Sequence, residues 1–255
     1  MKGILLYCAG NSPAMPFACR NLEDRGFEFA PTAAPDVTHL LLPVPSFETD
    51  GRIRGGGIPE HILADLPDSV TIIGGNLRHP ALHGYAALDL LQDPLYTARN
   101  AAITADCAIG IAGQLLPTIW CRCPVLVIGW GRIGKCLAQQ LKCLSADVTV
   151  AARKQQDLAL LQALGYGAVS TEDLDRTLSR YRVIFNTVPA PVLDAAQCRE
   201  CDPDCIKIEL ASQPGIAGNN VISALGLPGK YAPESSGNLI ANTIIRLLQR
   251  KEYAL

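Results

Sequence analysis

The stretch Pro124–Cys143 reads P-V-L-V-I-G-W-G-R-I-G-K-C-L-A-Q-Q-L-K-C. Its apolar run, Val125–Ile128, leads directly into Gly129-Trp130-Gly131-Arg132-Ile133-Gly134, and Ile133, Leu137, Leu141 and Leu144 then recur at helical spacing. Strand, glycine turn and helix in this order open a dinucleotide fold. The three glycines serve it differently. Gly129 permits the tight turn, Gly131 lets the backbone approach a pyrophosphate, and Gly134 lets the helix lie close to the strand. The helix adds free N–H groups and the positive end of its dipole at the same place. The expected fold class is α/β, with a Rossmann-type NAD(P)-binding domain.

The second strand of that domain is expected at Asp147–Ala152, D-V-T-V-A-A. A fold that takes NAD commonly ends this strand on Asp or Glu, which binds the ribose 2′-OH. Here Ala151-Ala152 stand at the end and Arg153-Lys154 follow. A guanidinium holds a 2′-phosphate through paired hydrogen bonds and stacks on adenine. NADP is the expected cofactor, with NAD as the alternative; a solvated turn is the plain reading of the same two cations.

With 255 residues, 49% of them hydrophobic, and a formal net charge of −2, the chain has the composition of a soluble globular protein large enough for two domains. Nothing in its charge calls for nucleic acid. The opening M-K-G-I-L-L-Y-C-A-G is too short in apolar residues for an export signal and reads as a first strand, and no window reaches the roughly 20 apolar residues of a membrane span. A cytoplasmic location without membrane contact is expected. The ten cysteines are then reduced thiols acting as small hydrophobes. Cys198-x2-Cys201-x3-Cys205 superficially resembles a metal triplet, but Pro203 intervenes and Cys205 begins an apolar strand, so no metal site is expected.

Before the glycine motif, short apolar runs alternate with polar helical segments. Strands are expected at Gly3–Tyr7, Thr38–Pro43 and Ser69–Gly74, and helices at Ala14–Arg25 and Pro59–Leu66. Asp50–Gly57 reads as a flexible glycine-rich turn. Residues 1–96 are expected to form a smaller flavodoxin-like α/β domain, 97–120 a long linking helix, and 121–255 the Rossmann domain. The latter has further strands at Val183–Thr187, Ile206–Leu210 and Val221–Ala224, and a last helix at Pro233–Arg250.

Ligands of open α/β sheets bind outside the C-terminal strand ends. Three such ends carry Pro/Gly turns with a hydroxyl, amide or charge: Phe185–Ala190, Glu209–Gly215 and Gly226–Pro233. With the glycine turn, the cofactor set becomes Gly129, Trp130, Gly131, Arg132, Ile133, Gly134, Ala152, Arg153, Lys154, Asn186, Thr187, Val188, Pro189 and Ser212. All four histidines, His39, His61, His79 and His83, precede the glycine motif, and the S-Q-P-G turn has no Arg. The His/Arg chemistry of 2-hydroxy acid dehydrogenases is therefore not expected.

Several strings resemble the dipicolinate synthase A subunit family: T-A-R-N-A-A-I-T-A-D-C-A-I (Thr97–Ile109), V-L-V-I-G-W-G-R-I-G-K (Val125–Lys135), I-F-N-T-V-P-A (Ile184–Ala190), I-E-L-A-S-Q-P-G (Ile208–Gly215) and G-L-P-G-K-Y-A-P-E-S-S-G-N-L-I-A-N (Gly226–Asn242). The likeness takes in Leu40–Pro45 and nearly everything from residue 70 onward. It implies oxidation of dihydrodipicolinate to dipicolinate with NADP in sporulation. It also implies a partner, the flavoprotein-like B subunit. A homo-oligomer is expected as well. For a ring with two carboxylates, Arg78, Arg99 and Lys230 are the candidate anchors, with Asn186, Ser212 and Ser235 as hydrogen-bonding partners and a substrate position between the domains. Lys230 and Ser212 enter the catalytic set with Asp106 as candidate base; Glu209 is a second candidate base or a strand-end acid holding a loop. The family carries Arg where this chain has Gln213 and Lys where it has Glu234. Asp106-Cys107 stands for Glu-Gly, and Cys8-Ala9-Gly10-Asn11 replaces an opening glycine motif. Loss of two cations leaves two alternatives open: another small-molecule NADP dehydrogenase, or a nucleotide-binding regulatory subunit without turnover.

Overall fold

Short apolar runs become parallel strands throughout the computed structural model, which describes residues 3–218 and 220–252. Met1 and Lys2 of the opening run lie outside the described residues. Two compact units are formed, one from Met1–Asn100 with Pro228–Leu255 and one from Ala101–Leu227.

In the first unit, β1 (Leu5–Cys8), β2 (Glu28–Phe29), β3 (His39–Leu41), β4 (Thr71–Gly74) and β5 (Ala86–Asp89) pair in the order β2-β1-β3-β4-β5, all parallel. This is the flavodoxin-like strand order. Leu40, Leu42, Val70 and Ile72 are among the residues that fill its core. Helices α1 (Met15–Asp24) and α2 (Pro59–Leu63) follow strands as the pattern predicts. Residues 50–57 form a packed turn rather than a flexible one. Asn11 N donates to Arg54 O at 2.8 Å, and a Cβ on Gly56 would lie 2.8 Å from Gly10 Cα. β2 and β5 are additions to the expected strands; two and four residues long and partly exposed, they carry little apolar signal.

The helix expected as a linker, residues 97–120, is α3 (Pro94–Leu115). It stops short of the expected end because Pro117 biases Leu116 away from helical backbone. The second unit holds β6 (Pro124–Ile128), β7 (Asp147–Ala152), β8 (Gly167–Ser170), β9 (Val183–Asn186), β10 (Ile206–Glu209) and β11 (Val221–Ser223). Read from β8, the order is β8-β7-β6-β9-β10-β11, again all parallel, which is the 3-2-1-4-5-6 order of the Rossmann sheet. Helices α4 (Arg132–Cys143), α5 (Gln155–Ala163) and α6 (Ala195–Glu200) belong to this unit; α7 (Leu227–Tyr231) follows. Val125–Ile128, the run before the glycine turn, is fully buried, as a strand covered on both faces must be.

The last helix, α8 (Pro233–Glu252), corrects the expected domain boundary: it belongs to the first unit and packs on α1. Gly237 makes the approach possible, since a Cβ there would lie 2.6 Å from Phe17 Cβ and 2.8 Å from Ala18 N. Asn21 Nδ2 donates to Asn238 Oδ1 at 2.7 Å, and Arg246 pairs with Asp93 at 2.7 Å. Among the described residues, no helix is long and apolar enough to cross a membrane.

Candidate functional site

The switch point of the second sheet lies between β6 and β9, where strand order reverses, and the glycine turn leaves β6 there. Gly129 has φ +106°, a conformation that favours glycine, and a Cβ on it would strike Thr187 Oγ1 and come within 2.9 Å of Val188 Cγ2. Thr187 is itself anchored, its Oγ1 donating to Ile128 O at 2.9 Å. A Cβ on Gly134 would collide with Gly129 O, so α4 can only lie this close with glycine at that position. Gly131 is different: nothing in the protein lies within 4 Å of where its Cβ would stand. It is the N-cap of α4 and supplies no side-chain hydrogen bond to the helix. The first N–H groups of α4, which have no partner within the helix, thus open on free space. Such a cradle fits a dinucleotide pyrophosphate, with Arg132 exposed at its mouth and Ile133 half-buried below.

A cavity of about 430 Å³ adjoins this turn, lined by Gly129, Trp130, Ala151, Ala152, Arg153, Lys154, Asp157, Thr171, Val188, Ala190, Pro191 and Val192. Six predicted cofactor residues are thus brought together around one hollow of the size an adenosine needs. Ala152 is buried and contributes backbone, while Arg153 and Lys154 are exposed. Among the described residues no hydrogen bond or ion pair engages either cation. Trp130 forms one wall, with the Tyr166 ring edge-on at 6.0 Å and Lys135 Nζ 5.6 Å from its centroid. Burial pushes the Tyr166 phenol up from its ordinary pKa, and nearby Cys143 adds to the rise. Asp157 and Thr171 were not expected here. Asp157 had a signal, an acid in the first turn of α5 just beyond Lys154. Thr171 had none, because it follows β8, a strand too weakly apolar to read.

The other strand ends are tied together by one carboxylate. Glu209, 3% exposed, accepts from Asn186 Nδ2 at 2.8 and 3.0 Å and from the N–H groups of Ala211 at 3.0 Å, Gly215 at 2.7 Å and Ile216 at 3.1 Å. It is therefore the strand-end acid that holds a loop, and not a free base. Asn186 is a correction to the expected cofactor and substrate contacts. It is fully buried, its Nδ2 also donates to Val188 O at 3.0 Å, and its Oδ1 accepts from Val188 N at 2.9 Å. Every polar atom of its side chain is engaged within the loop framework. Thr187 and Val188 flank the glycine turn, Pro189 is exposed beyond them, and Ser212 is exposed on the loop after β10.

The proposed anchors divide between the units. Arg78, Arg99, Lys230 and Ser235 belong to the first and Asp106 to the second, and all five are exposed. Lys230 Nζ lies 5.1 Å from the centroid of the Tyr231 ring. His79 caps a helical turn: its Nδ1 accepts from Ala81 N at 3.2 Å, and its ring stacks on Phe47 at 4.6 Å. Among the described residues, no group of three or more His, Cys, Asp or Glu side chains is placed to hold a metal ion.

No family model matches the chain. Over 132 residues, 49% of this chain, it is 31% identical to the dipicolinate synthase A subunit of Bacillus subtilis (strain 168), and the match spans 44% of that protein's length, less than half. The crystal structure of the dipicolinate synthase A subunit from Bacillus halodurans superposes with a TM-score of 0.86 at 21% identity, over 96% of this chain and 98% of that one. D-lactate dehydrogenase from Escherichia coli shares the fold at a TM-score of 0.61 and 14% identity, over 97% and 96% of the two chains. Half of the chain is thus similar in sequence to a dipicolinate synthase A subunit, and the fold along nearly the whole chain is the one that dipicolinate synthase A structures share.

Proposed function

We propose that the chain is a nicotinamide-dependent oxidoreductase of the dipicolinate synthase A type, using NADP to oxidise dihydrodipicolinate to dipicolinate. The observation that carries the reading is the open space at Gly131 before the uncapped α4, next in sequence to Gly129 and Trp130, which line the cavity that ends at Arg153 and Lys154. When bound, the dinucleotide supplies a hydride acceptor. The chain's own residues supply the rest. The N–H groups of α4 and the positive end of its dipole hold the pyrophosphate. Arg153 holds the 2′-phosphate through charge-assisted hydrogen bonds. The exposed cations offered for the two carboxylates are Arg78, Arg99 and Lys230, with Ser212 and Ser235 as hydroxyl donors. Asp106 takes the proton released as the ring becomes aromatic and passes it to solvent. Aromatisation drives the step, so orientation is the protein's main contribution.

A homo-oligomeric state, a cytoplasmic location and partnership with a flavoprotein-like B subunit belong to the same proposal. Turnover of dihydrodipicolinate with NADP, followed by the near-ultraviolet absorption of dipicolinate with and without the B subunit, is the test. Product in either condition is expected; none in both excludes the activity. A nucleotide-binding subunit without turnover is the second reading, favoured by the exposed Gln213 and Glu234 where the family carries cations. It predicts dinucleotide binding without product. Another small-molecule NADP dehydrogenase would show turnover on a different substrate.

A further inference from the structure

Another cavity, of about 450 Å³, opens at the edge of the Rossmann sheet away from the glycine turn. Pro124, Asp147 and Gly167, the first residues of β6, β7 and β8, all line it, and in a parallel sheet those three ends share one edge. Two cations stand in its wall. Lys142 comes from the last turn of α4, and Arg180 from the turn that precedes β9. Among the described residues, neither has a carboxylate partner.

Neutral oxygens hold both cations in place. Lys142 Nζ donates to Leu164 O at 2.6 Å and lies 4.7 Å from the centroid of the Tyr166 ring. Leu164 O belongs to the carbonyls that the C-terminal end of α5 leaves open. An ammonium has three N–H groups, so this bond leaves two for another acceptor. Arg180 Nη2 donates to Tyr181 Oη at 2.7 Å and to Thr149 Oγ1 at 3.4 Å, and those two residues are buried at the back of the cavity, 1% and 8% exposed. Among the described residues both side-chain bonds of Arg180 leave from Nη2, so the rest of its fork is open. Two glycines keep the space around these groups. A Cβ on Gly167 would stand 2.6 Å from Thr149 Oγ1, and one on Gly165 would stand 3.3 Å from Lys142 Nζ. Cations fixed before a ligand arrives lose little side-chain freedom when it binds. Their charge is left for that ligand to neutralise.

We propose that this cavity binds the phosphomonoester of a small polyhydroxy compound, a sugar phosphate in chemical class, at a site separate from the dinucleotide cradle. A phosphomonoester carries roughly 1.5–2 negative charges near pH 7 on three acceptor oxygens. That matches one guanidinium fork and one ammonium, where a single carboxylate would leave one of them unanswered. Asp147 supplies the rest of the selection. It lines the same cavity and forms no ion pair among the described residues. Its carboxylate accepts from a hydroxyl and repels a second anionic group, so the ligand carries one phosphate and hydroxyl groups beside it. The cavity has the volume of a small-molecule site and exceeds what a free phosphate ion fills.

Calorimetry on the intact chain, with glycerol 1-phosphate, inorganic phosphate and malate as probes, is the test. Glycerol 1-phosphate is expected to bind most tightly, inorganic phosphate less so and malate least. Arg180→Met and Lys142→Met should each weaken glycerol 1-phosphate about ten-fold or more, the loss of a hydrogen bond to a charged group. Arg153→Ala, in the dinucleotide cavity, should leave its affinity unchanged. Asp147→Ala touches neither cation and should shift the two phosphates in opposite directions, inorganic phosphate binding more tightly and glycerol 1-phosphate less. Silence of both phosphates at millimolar concentration overturns the proposal with no variant needed. Malate binding most tightly overturns the phosphate class. Affinity lost in Arg153→Ala and kept in Arg180→Met would put the phosphate in the dinucleotide cradle and overturn the separate site.

Discussion

A Cβ on Gly131 meets nothing in the protein, so Gly131→Val is expected to melt within a degree or two of the natural chain and yet to lose dinucleotide binding by calorimetry. The valine methyl groups would fill the space that the pyrophosphate needs. Unchanged affinity in the folded variant would show the turn to be structural only. Arg153 offers the complementary experiment. Its guanidinium is exposed and unengaged, so Arg153→Ala leaves stability alone and removes about 1.5–3 kcal/mol of NADP affinity, the range for a hydrogen bond to a charged group, while NAD affinity stays nearly constant. Asp157 lines the same cavity and its charge works against a 2′-phosphate, so on the proposed reading NAD binding should stay measurable beside NADP. Glu209 sits at the other extreme. Replacing it with Gln turns an amide NH₂ toward donors that now face an acceptor-only carboxylate, and should destabilise the chain by about 1–3 kcal/mol in a denaturant melt.

The contact of α8 with α1 depends on Gly237, and Gly237→Ala should cost about 1–3 kcal/mol through overpacking against Phe17 and Ala18, measured as a drop in the denaturant midpoint. The Asp93–Arg246 pair ties the same helix further along. Burial works to raise the Asp93 carboxyl, but the Tyr96 N–H and the Arg246 guanidinium outweigh it and hold the group below its ordinary value of 3.8. Because the folded value lies below the unfolded one, the contribution to stability is complete above about pH 5 and is lost as pH falls through the folded value. Asp93→Asn should therefore lower Tm at pH 7, and the gap to the natural chain should close toward pH 2. A gap that persists at acid pH would assign the effect to packing.

Elements with a strong local signature were legible in sequence, and those defined by tertiary partners were not. The glycine turn could be read because each of its glycines answers a steric demand within a few residues of itself. β8, G-A-V-S, is half-exposed and four residues long, so neither length nor alternation marked it. Nothing in P-E-S-S-G-N-L-I says which surface the apolar side of α8 will cover; Gly237, near the start of the helix, was the one hint of a close neighbour. Asn186 misled for a general reason. An amide at a strand end has the same composition whether it faces a ligand or is locked into a clasp, and only the position of Glu209 and the Gly215 backbone decides between them.

On the scale of the whole molecule, the two sheets are variants of one plan, parallel and doubly wound, but only the second carries a glycine cradle open at its switch point. In the first, the corresponding turn at Gly10 is filled, since a Cβ there would lie 2.6 Å from Arg54 O and 2.6 Å from Ile53 Cγ2. Hydrogen exchange should register this difference. Saturating NADP is expected to slow exchange at 129–134, 151–157 and 187–192 and to leave the amides of 9–11 and 53–56 unchanged. Protection of the Gly10 turn instead would place the dinucleotide on the wrong sheet.

The chain begins the first unit, builds all of the second inside it, and returns to the first with α8. Formally, the Rossmann unit is an insertion in its neighbour's sequence. During translation its strands leave the ribosome as one uninterrupted block and can assemble at once. The flavodoxin-like unit must wait, with the α1 face that α8 covers still bare, until residues 233–252 have been made. Premature termination before residue 233 would thus strike hardest at the half of the protein that was synthesised first.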